Sequence, residues 1–569
     1  MASTTSAGRS GRGLRVSVLA RVALPLALCA LLAGPATATN GLKPVAYGAR
    51  AAGRAGVDYA FADDGTGPAT NPAGMAFVYG NRLDNTWGVV FPTVTWRNSL
   101  GEFEDRSEPF IPAPAFSFGA VFDPSKDWEI APLFDLGRWG MVDDEDTEGD
   151  AAQANGPPPE EAPQAGDVTA AVVPTELSDE ELYGGKLRLG FGVFPVAGGR
   201  IQMKKMRTPI PSNGQPAFDR PRDWETDVLT IAITPSFAYR FTKHFSAGLS
   251  LQLIYGQFEL DGGIAQPSST LADDFEFANN ILNVNPQILT FADVDDAKTD
   301  FDNNNGSWGF SWRFGMMFNS RYVSIGVIYQ DRSYNSDYLG RATVDAEGEV
   351  QRLTQGNAGL LQLVNPNINP ALGFSGEYDV RIQDLNFPRM VGLGLAVRPH
   401  RRISLGLDYT YIHWSEVFRS FKARLSNGSN PNLDIMTSPT IHVSVPLRYE
   451  NQHVIALGVT ALLAEGEDLV EGVPKWALVW RAGWNYGKNP TPAKTIQPQQ
   501  PTITEHHVST GFTFHWGPLV ELSAAVEYAL PTKVDTPASP PGHFGNFVLS
   551  DSTQEAEILF IYLGLGVNF

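Results

Sequence analysis

The sequence predicts an all-β fold, a transmembrane antiparallel β-barrel of about fourteen strands. Three observations predict it. The first is period two: along 228–242 the odd positions run Leu229, Ile231, Ile233, Pro235, Phe237, Tyr239, Phe241, while the even ones are mostly small or polar. Successive strand side chains point to opposite faces, so each such segment has one apolar face and one small or polar face. The second is length: many of these segments reach ten residues or more, enough to cross a bilayer when tilted, whereas a soluble sandwich needs less. The third is the last segment, where Leu559, Ile561, Leu563, Leu565, Val567 and Phe569 face one way and Phe560, Tyr562, Gly564, Gly566 and Asn568 the other. In hydrocarbon every backbone N–H and C=O must be paired, so strands span only as a closed ring.

Residues 1–38 read as a secretory signal. Arg9, Arg12, Arg15 and Arg21 form a positive leader, Val22–Ala33 an apolar run, and Ala36-Thr37-Ala38 an A-x-A cleavage site near Ala38. That run is too short for a helical span of about 20 residues. The only cysteine, Cys29, lies inside it, so the mature chain has no disulfide and no thiol chemistry. Removing its four arginines takes the formal charge from −20 to −24, which argues against a nucleic-acid partner. Mean hydropathy is −0.15, compatible with strands that are only half apolar.

Residues 41–82 are Gly- and Ala-rich with little strand periodicity. Strands are expected near 86–96, 113–123, 186–197, 228–242, 245–260, 306–319, 321–335, 379–398, 401–424, 446–463, 475–486, 505–516, 518–530 and 556–569. Short turns such as Phe241–Phe245 and Pro399–Arg402 read as periplasmic, and the long segments 262–305, 346–376, 426–445, 487–504 and 531–554 as external loops. Trp414, Trp484, Tyr486, Trp516 and Tyr528 near strand ends read as an interfacial girdle. One segment breaks the rhythm. Residues 143–181 hold thirteen Asp or Glu and no Lys or Arg, with three consecutive prolines, so an acidic, self-repelling insertion is expected at about 142–182. Strand parity puts it at the periplasmic end, where long insertions are unusual.

Several stretches resemble one family. Tyr47-Gly48-Ala49-Arg50-Ala51-Ala52-Gly53-Arg54-Ala55-Gly56, then Asp63-Asp64, then Asn71-Pro72-Ala73-Gly74-Met75 resemble the N-terminal hatch of the FadL/TodX (OMPP1) family of outer-membrane transporters for hydrophobic compounds. Thr234–Arg240 is similar to its Pro-Ser-x-Ala-Tyr strand, Tyr409–Ser415 to its Tyr-Thr-x-Trp-Ser strand, and Arg481-Ala482-Gly483-Trp484 with Asn489-Pro490-Thr491-Pro492 to its Arg-x-Gly-Tyr…Pro-x-Pro element. The resemblance implies a plug over residues 39–85 inside a barrel over 86–569. It also implies passive uptake of long-chain fatty acids or aromatic hydrocarbons in the outer membrane, a hatch movement, and lateral release where a strand kinks. The acidic insertion and the chain's length depart from the family pattern.

Candidate residues follow. Hatch and gating positions are Gly48, Gly53, Gly56, Asp63, Asp64, Asn71, Pro72, Ala73 and Gly74; glycine permits φ > 0 and proline fixes φ, and Asn71 suits the cap of a turn. By strand phase Ile254, Phe258, Ile412, Trp414, Phe560 and Tyr562 face inward, where they either line an apolar route or pack against the plug. Arg240, Arg313, Arg398 and Arg481 also face inward; they either hold a carboxylate headgroup or pair with Asp408, Glu521 and Glu527. Phe194-Pro195-Val196-Ala197-Gly198-Gly199, with Pro195, Gly198 and Gly199 as key positions, is either the lateral kink or a plain strand-ending turn.

Two rivals stay open: a surface adhesin using the long loops, and a general diffusion porin, which would lack a plug. An enzyme is not expected, because no G-x-S-x-G elbow is present and His506, His507 and His515 stand apart from any nucleophile motif. No cofactor or metal is expected. Expected partners are a hydrophobic ligand, outer-membrane lipid and lipopolysaccharide, and the barrel-assembly machinery through Phe569; the barrel is expected to be monomeric.

Overall fold

The computed structural model describes residues 40–569 except 62–63, 105–115, 126–184, 207–220, 266–290, 300–305, 538–550 and a few positions within 346–355, 437–438, 471–472 and 499–501. The export segment, Asp63 and the acidic segment 142–182 lie outside the described residues.

The alternating segments form fourteen antiparallel strands, several of them interrupted. They are β1 (Arg82–Asn98), β2 (Gly101–Glu104 and Ser117–Phe122), β3 (Leu187–Met206), β4 (Arg222–Ile233 and Ser236–Arg240) and β5 (Phe245–Ala265). Next come β6 (Phe291–Thr299 and Ser307–Asn319), β7 (Val323–Gln330, Tyr334–Asn335 and Tyr338–Asp345), β8 (Ser375–Gln383 and Met390–His400), β9 (Ile403–Ile412 and Ser420–Ser426) and β10 (Thr440–Pro446 and Gln452–Glu465). The set ends with β11 (Trp476–Gly487), β12 (His506–Trp516), β13 (Val520–Asp535) and β14 (Thr553–Asn568). Each pairs with the next, and β1 pairs with β14 from Arg82↔Asn568 to Arg97↔Thr553. The ring is closed, and closure removes the sheet edges that hydrocarbon could not satisfy. Among the described residues no helix is long and apolar enough to cross a membrane; strands do the crossing.

The two faces separate as the alternation dictates. Leu251, Leu253, Phe310, Leu393, Leu405, Leu457, Phe512 and Leu563 are exposed on the outer face. Ala238, Ser246, Ser250, Ser311, Ser324, Ala396 and Thr513, on the opposite phase, are fully buried in the lumen. The short turns gather at one end with the ends of β1 and β14. Val121 pairs with Arg82, so Phe122 also reaches that end. The connection from β2 to β3 therefore leaves at the turn end, as strand parity requires, and the acidic insertion is a true departure from the short-turn pattern.

The strands differ from the sequence reading in two ways. β3 does not end at residue 197 but continues to Met206. And β8 and β9, read as continuous, are broken around 384–389 and 413–419, while β7 and β10 run beyond the expected bounds, across breaks around 331–337 and 447–451, to Tyr338–Asp345 and to Thr440–Pro446, a stretch expected as external loop. Pro388 lacks a ladder donor, Asp384 and Arg448 adopt φ of 57° and 50°, and Trp414–Val417 is one helical turn. The breaks turn Phe387, Trp414, Phe418, Leu447 and Tyr449 into the lumen. Trp414, read both as a girdle residue and as inward-facing, is an interior residue, 1% exposed. Toward the loop end lie apolar clusters, one around Tyr338, Tyr378, Phe374 and Leu433, another around Trp96, Trp224, Ile496 and Ile503.

Candidate functional site

Residues 40–81 lie against the inward face of the wall. They form a short helix α1 (Ala49–Gly53) and a 3-10 turn (Pro72–Phe77), joined by irregular chain. Gly48 and Gly56 adopt φ of 88° and 86°, a region open to glycine at low cost. Asn71 caps the 3-10 turn, its Oδ1 accepting from the Ala73 N–H at 3.1 Å, with Pro72 at the first position. The Gly74 N–H donates to the Asn71 carbonyl at 2.9 Å. Asp64 accepts from the Thr66 N–H at 2.8 Å.

The wall makes room with glycine. A Cβ on Gly248 would sit 2.6 Å from the Pro72 carbonyl carbon, and one on Gly394 2.7 Å from Tyr59 Cβ. Gly53 of α1 in turn approaches Gly511 of β12 and Arg481 Cβ. Small inward residues, which the alternation shows only as a polar or small face, thus form the seat for this segment's backbone.

Polar groups fasten it. Asp408 Oδ2 on β9 accepts from the Asp58 N–H at 2.7 Å and the Tyr59 N–H at 3.0 Å. Tyr59 Oη meets Thr410 Oγ1 at 3.0 Å, and Ser246 Oγ donates to the Ala73 carbonyl at 2.8 Å. Arg50 pairs with Glu521, which also holds Arg82; Arg82 reaches Asp84 at 2.6 Å. Glu527 takes His507 Nδ1 at 3.1 Å and the Tyr562 hydroxyl at 3.2 Å. His506 points the other way, its ring tilted against Tyr486 with centroids 4.6 Å apart. Among the described residues no group of three or more His, Cys, Asp or Glu gathers to hold a metal.

The inward arginines are all buried. Arg313 donates to the Thr70 carbonyl at 3.2 Å, to Gln330 and to the Tyr47 hydroxyl. Arg481 donates to Thr513 and Arg398 to Ser324 at 2.8 Å; Arg240 is buried at the turn end of β4. The expected acids serve elsewhere: Asp408 holds backbone amides, Glu521 holds Arg50 and Arg82, and Glu527 holds His507 and Tyr562. Phe560 and Tyr562 pack on Ala49, Ala51 and Ala52 of α1. Phe258 lies higher, 5.6 Å from the Phe421 ring.

A narrow cavity lies between this segment and the wall. Lys43, Tyr47 and Ala69 form one side; Phe194, Pro195, Val196, Ala232, Gln252, Gln330, Phe387, Met390, Ile412 and Trp414 form the other. Ile254, two residues beyond Gln252 on the same strand phase, is buried nearby at 1% exposure. Its polar handles are few. Lys43 and Arg313 have no carboxylate partner among the described residues, and Gln252 Oε1 is buried without a hydrogen bond. Sequence phase missed Lys43, Gln252 and Phe387; Pro388, inside an expected strand, was the signal that β8 breaks there.

The cavity abuts an irregularity in the wall's pairing. Pro195 faces Ile231 and Ala197 faces Thr230, so Val196 is an extra residue, a β-bulge. Pro195 has no N–H to give. Gly198 and Gly199 then resume regular pairing with Leu229 and Val228, so this element is a bulge within β3 and not a strand-ending turn.

A sequence model of the family described as outer membrane protein transport protein (OMPP1/FadL/TodX) matches residues 218–557. The chain is 22% identical over 254 residues to outer membrane protein P1 of Haemophilus influenzae, covering 44% of this chain and 47% of that protein. It thus spans about half the length of the curated relatives it matches. Among solved structures, the Pseudomonas putida toluene transporter TodX superposes with a TM-score of 0.61 at 15% identity, over 93% of this chain and 100% of that one. The Ralstonia pickettii toluene transporter TbuX gives 0.58 at 15% identity over 92% and 99%, and a Pseudomonas aeruginosa FadL homologue 0.55 at 14% over 93% and 100%. The closed fourteen-strand ring and the family match agree: this chain belongs to the OMPP1/FadL/TodX family of outer-membrane transport proteins and resides in the outer membrane.

Proposed function

We propose that this chain carries hydrophobic small molecules, long-chain fatty acids or aromatic hydrocarbons, passively through the outer membrane. Residues 40–81 act as its hatch, and the bulge at Pro195–Ala197 as its lateral exit. The observation that carries the reading is the apolar cavity held between the plug segment and that bulge. A water-filled pore gives an apolar solute no advantage; a dry, mostly apolar cavity with few polar groups does. The glycine-seated segment, fastened by side-chain bonds and not by a strand ladder, is the element that can shift. The missing ladder donor at Pro195 leaves the wall locally weak where a greasy molecule would leave for lipid.

A specific observation favours an acid-headed ligand over an uncharged one. Lys43 lines the cavity, and Arg313 lies behind it on Gln330, both without a carboxylate partner among the described residues; an ionised carboxylate at the end of an apolar chain would complete the site.

The test is a tether. Ser246 Oγ already contacts the Ala73 carbonyl, so Ala73→Cys with Ser246→Cys should cross-link plug to wall. Uptake of labelled hydrophobic substrate should stop on oxidation and return on reduction. Uptake unchanged in the oxidised form would reject a moving hatch.

A further inference from the structure

We propose that the turn-end rim of the barrel from β3 to β9 is a binding site for the phosphates of anionic phospholipids in the inner leaflet of the outer membrane.

Three consecutive wall turns and the entry to β3, next to the acidic β2–β3 connection, carry the positive charge. Lys186 enters β3, Lys243 and His244 lie in the β4–β5 turn, Arg321 in the β6–β7 turn, and His400, Arg401 and Arg402 in the β8–β9 turn. The stretches 185–190, 239–246, 317–324 and 396–405 contain no Asp or Glu. That is unlike the chain as a whole, which has 62 acidic and 42 basic residues. Two acids border this rim: buried Asp123 beside Lys186, which accepts the Gly185 N–H at 2.6 Å, and Glu465 at the end of β10, which takes Arg402 at 2.7 Å and Arg401 at 3.7 Å. Lys186, Lys243 and Arg321 are exposed and have no ion pair among the described residues.

The same turns carry the anchors of a lipid interface. Phe241 is 55% exposed and Tyr322 61%, and Phe245, Phe318 and Ile403 are also exposed on the lipid face. The Arg321 guanidinium lies 5.4 Å from the Tyr322 ring centroid. Aromatic rings settle at headgroup level, and cations just beyond them meet the phosphates. Strands lie about 4.8 Å apart, so successive turns recur about every 10 Å along the rim, close to the spacing of neighbouring lipid headgroups. This end also carries the ends of β1 and β14 and the short turns, which makes it periplasmic. The lipid it meets is therefore phospholipid and not lipopolysaccharide.

The full-length protein, reconstituted in nanodiscs of phosphatidylcholine with or without phosphatidylglycerol, tests this by native mass spectrometry of retained lipid. Phosphatidylglycerol should be enriched, by about fivefold per engaged cation, and 0.5 M NaCl should erase the enrichment, as a screening length of roughly 4 Å requires. K243Q/R321Q/R401Q should lose the enrichment, whereas K243R/R321K/R401K and an outer-wall control, R341Q/R381Q/R424Q, should keep it. Equal retention of the two lipids overturns the proposal, as does enrichment that survives in the glutamine variant. So does inorganic phosphate displacing the lipid at equal concentration, which would make the rim a free-phosphate site. Enrichment that emerges only when residues 143–181 are deleted would assign the rim to that acidic segment, and also overturns it.

Discussion

Asp408 holds two amides of the plug through a single oxygen, Oδ2, at 2.7 and 3.0 Å. Asp408→Ala would strand both buried N–H groups, at about 1–3 kcal/mol each. Asp408→Asn keeps an oxygen that can accept both and should cost less. Hydrogen exchange at residues 58 and 59 should speed up strongly in the first variant and weakly in the second; equal protection in both would show that the carboxylate does not hold the plug. Lys43 offers a pH test. Burial, with the Arg313 charge adding to it, holds its ammonium down to about 7. Lys43 is thus charged below pH 7 and neutral above, while a fatty-acid carboxylate stays ionised throughout. Binding of a carboxylate-headed ligand should weaken as pH rises from 6 to 8.5, by roughly tenfold or more if one charged hydrogen bond is lost. Toluene binding should not change, and Lys43→Met should flatten the curve. A flat profile in the native chain would contradict a role for Lys43. Lys43 was not legible from strand phase, because it lies in a segment without periodicity. The inward set Arg240, Arg313 and Arg481 was legible, since a strand's two-residue period fixes the face of every side chain.

At the scale of elements, β3 shows where local signals stop. Pro195 with Gly198 and Gly199 reads from sequence as either a kink or an end; pairing with β4, remote in sequence, decides it, since the register resumes beyond Val196. The same limit hid the breaks in β7–β10, where a long apolar run looks the same whether it stays in the wall or folds inward at Trp414. Deleting Val196 would remove the bulged residue and restore register, although it also shifts part of β3 by one phase. Pro195→Val is the gentler change, supplying a ladder donor. It should raise thermal stability slightly and lower hydrophobic uptake severalfold. Uptake at the native rate with a more stable β3 would remove the bulge from the route.

The whole molecule was the most legible scale. All fourteen strands correspond to alternating segments, because lipid outside and a filled lumen inside impose opposite demands on alternate residues. What alternation could not give was the fit of the plug, which depends on close approaches such as Gly248 to Pro72 and Gly394 to Tyr59. The most direct measurement of the central claim is uptake by cells lacking other such transporters, with labelled long-chain fatty acid and labelled sucrose supplied together. Expressing this chain should speed entry of the fatty acid severalfold and leave sucrose at background. Sucrose entering freely while the fatty acid stays outside would contradict it.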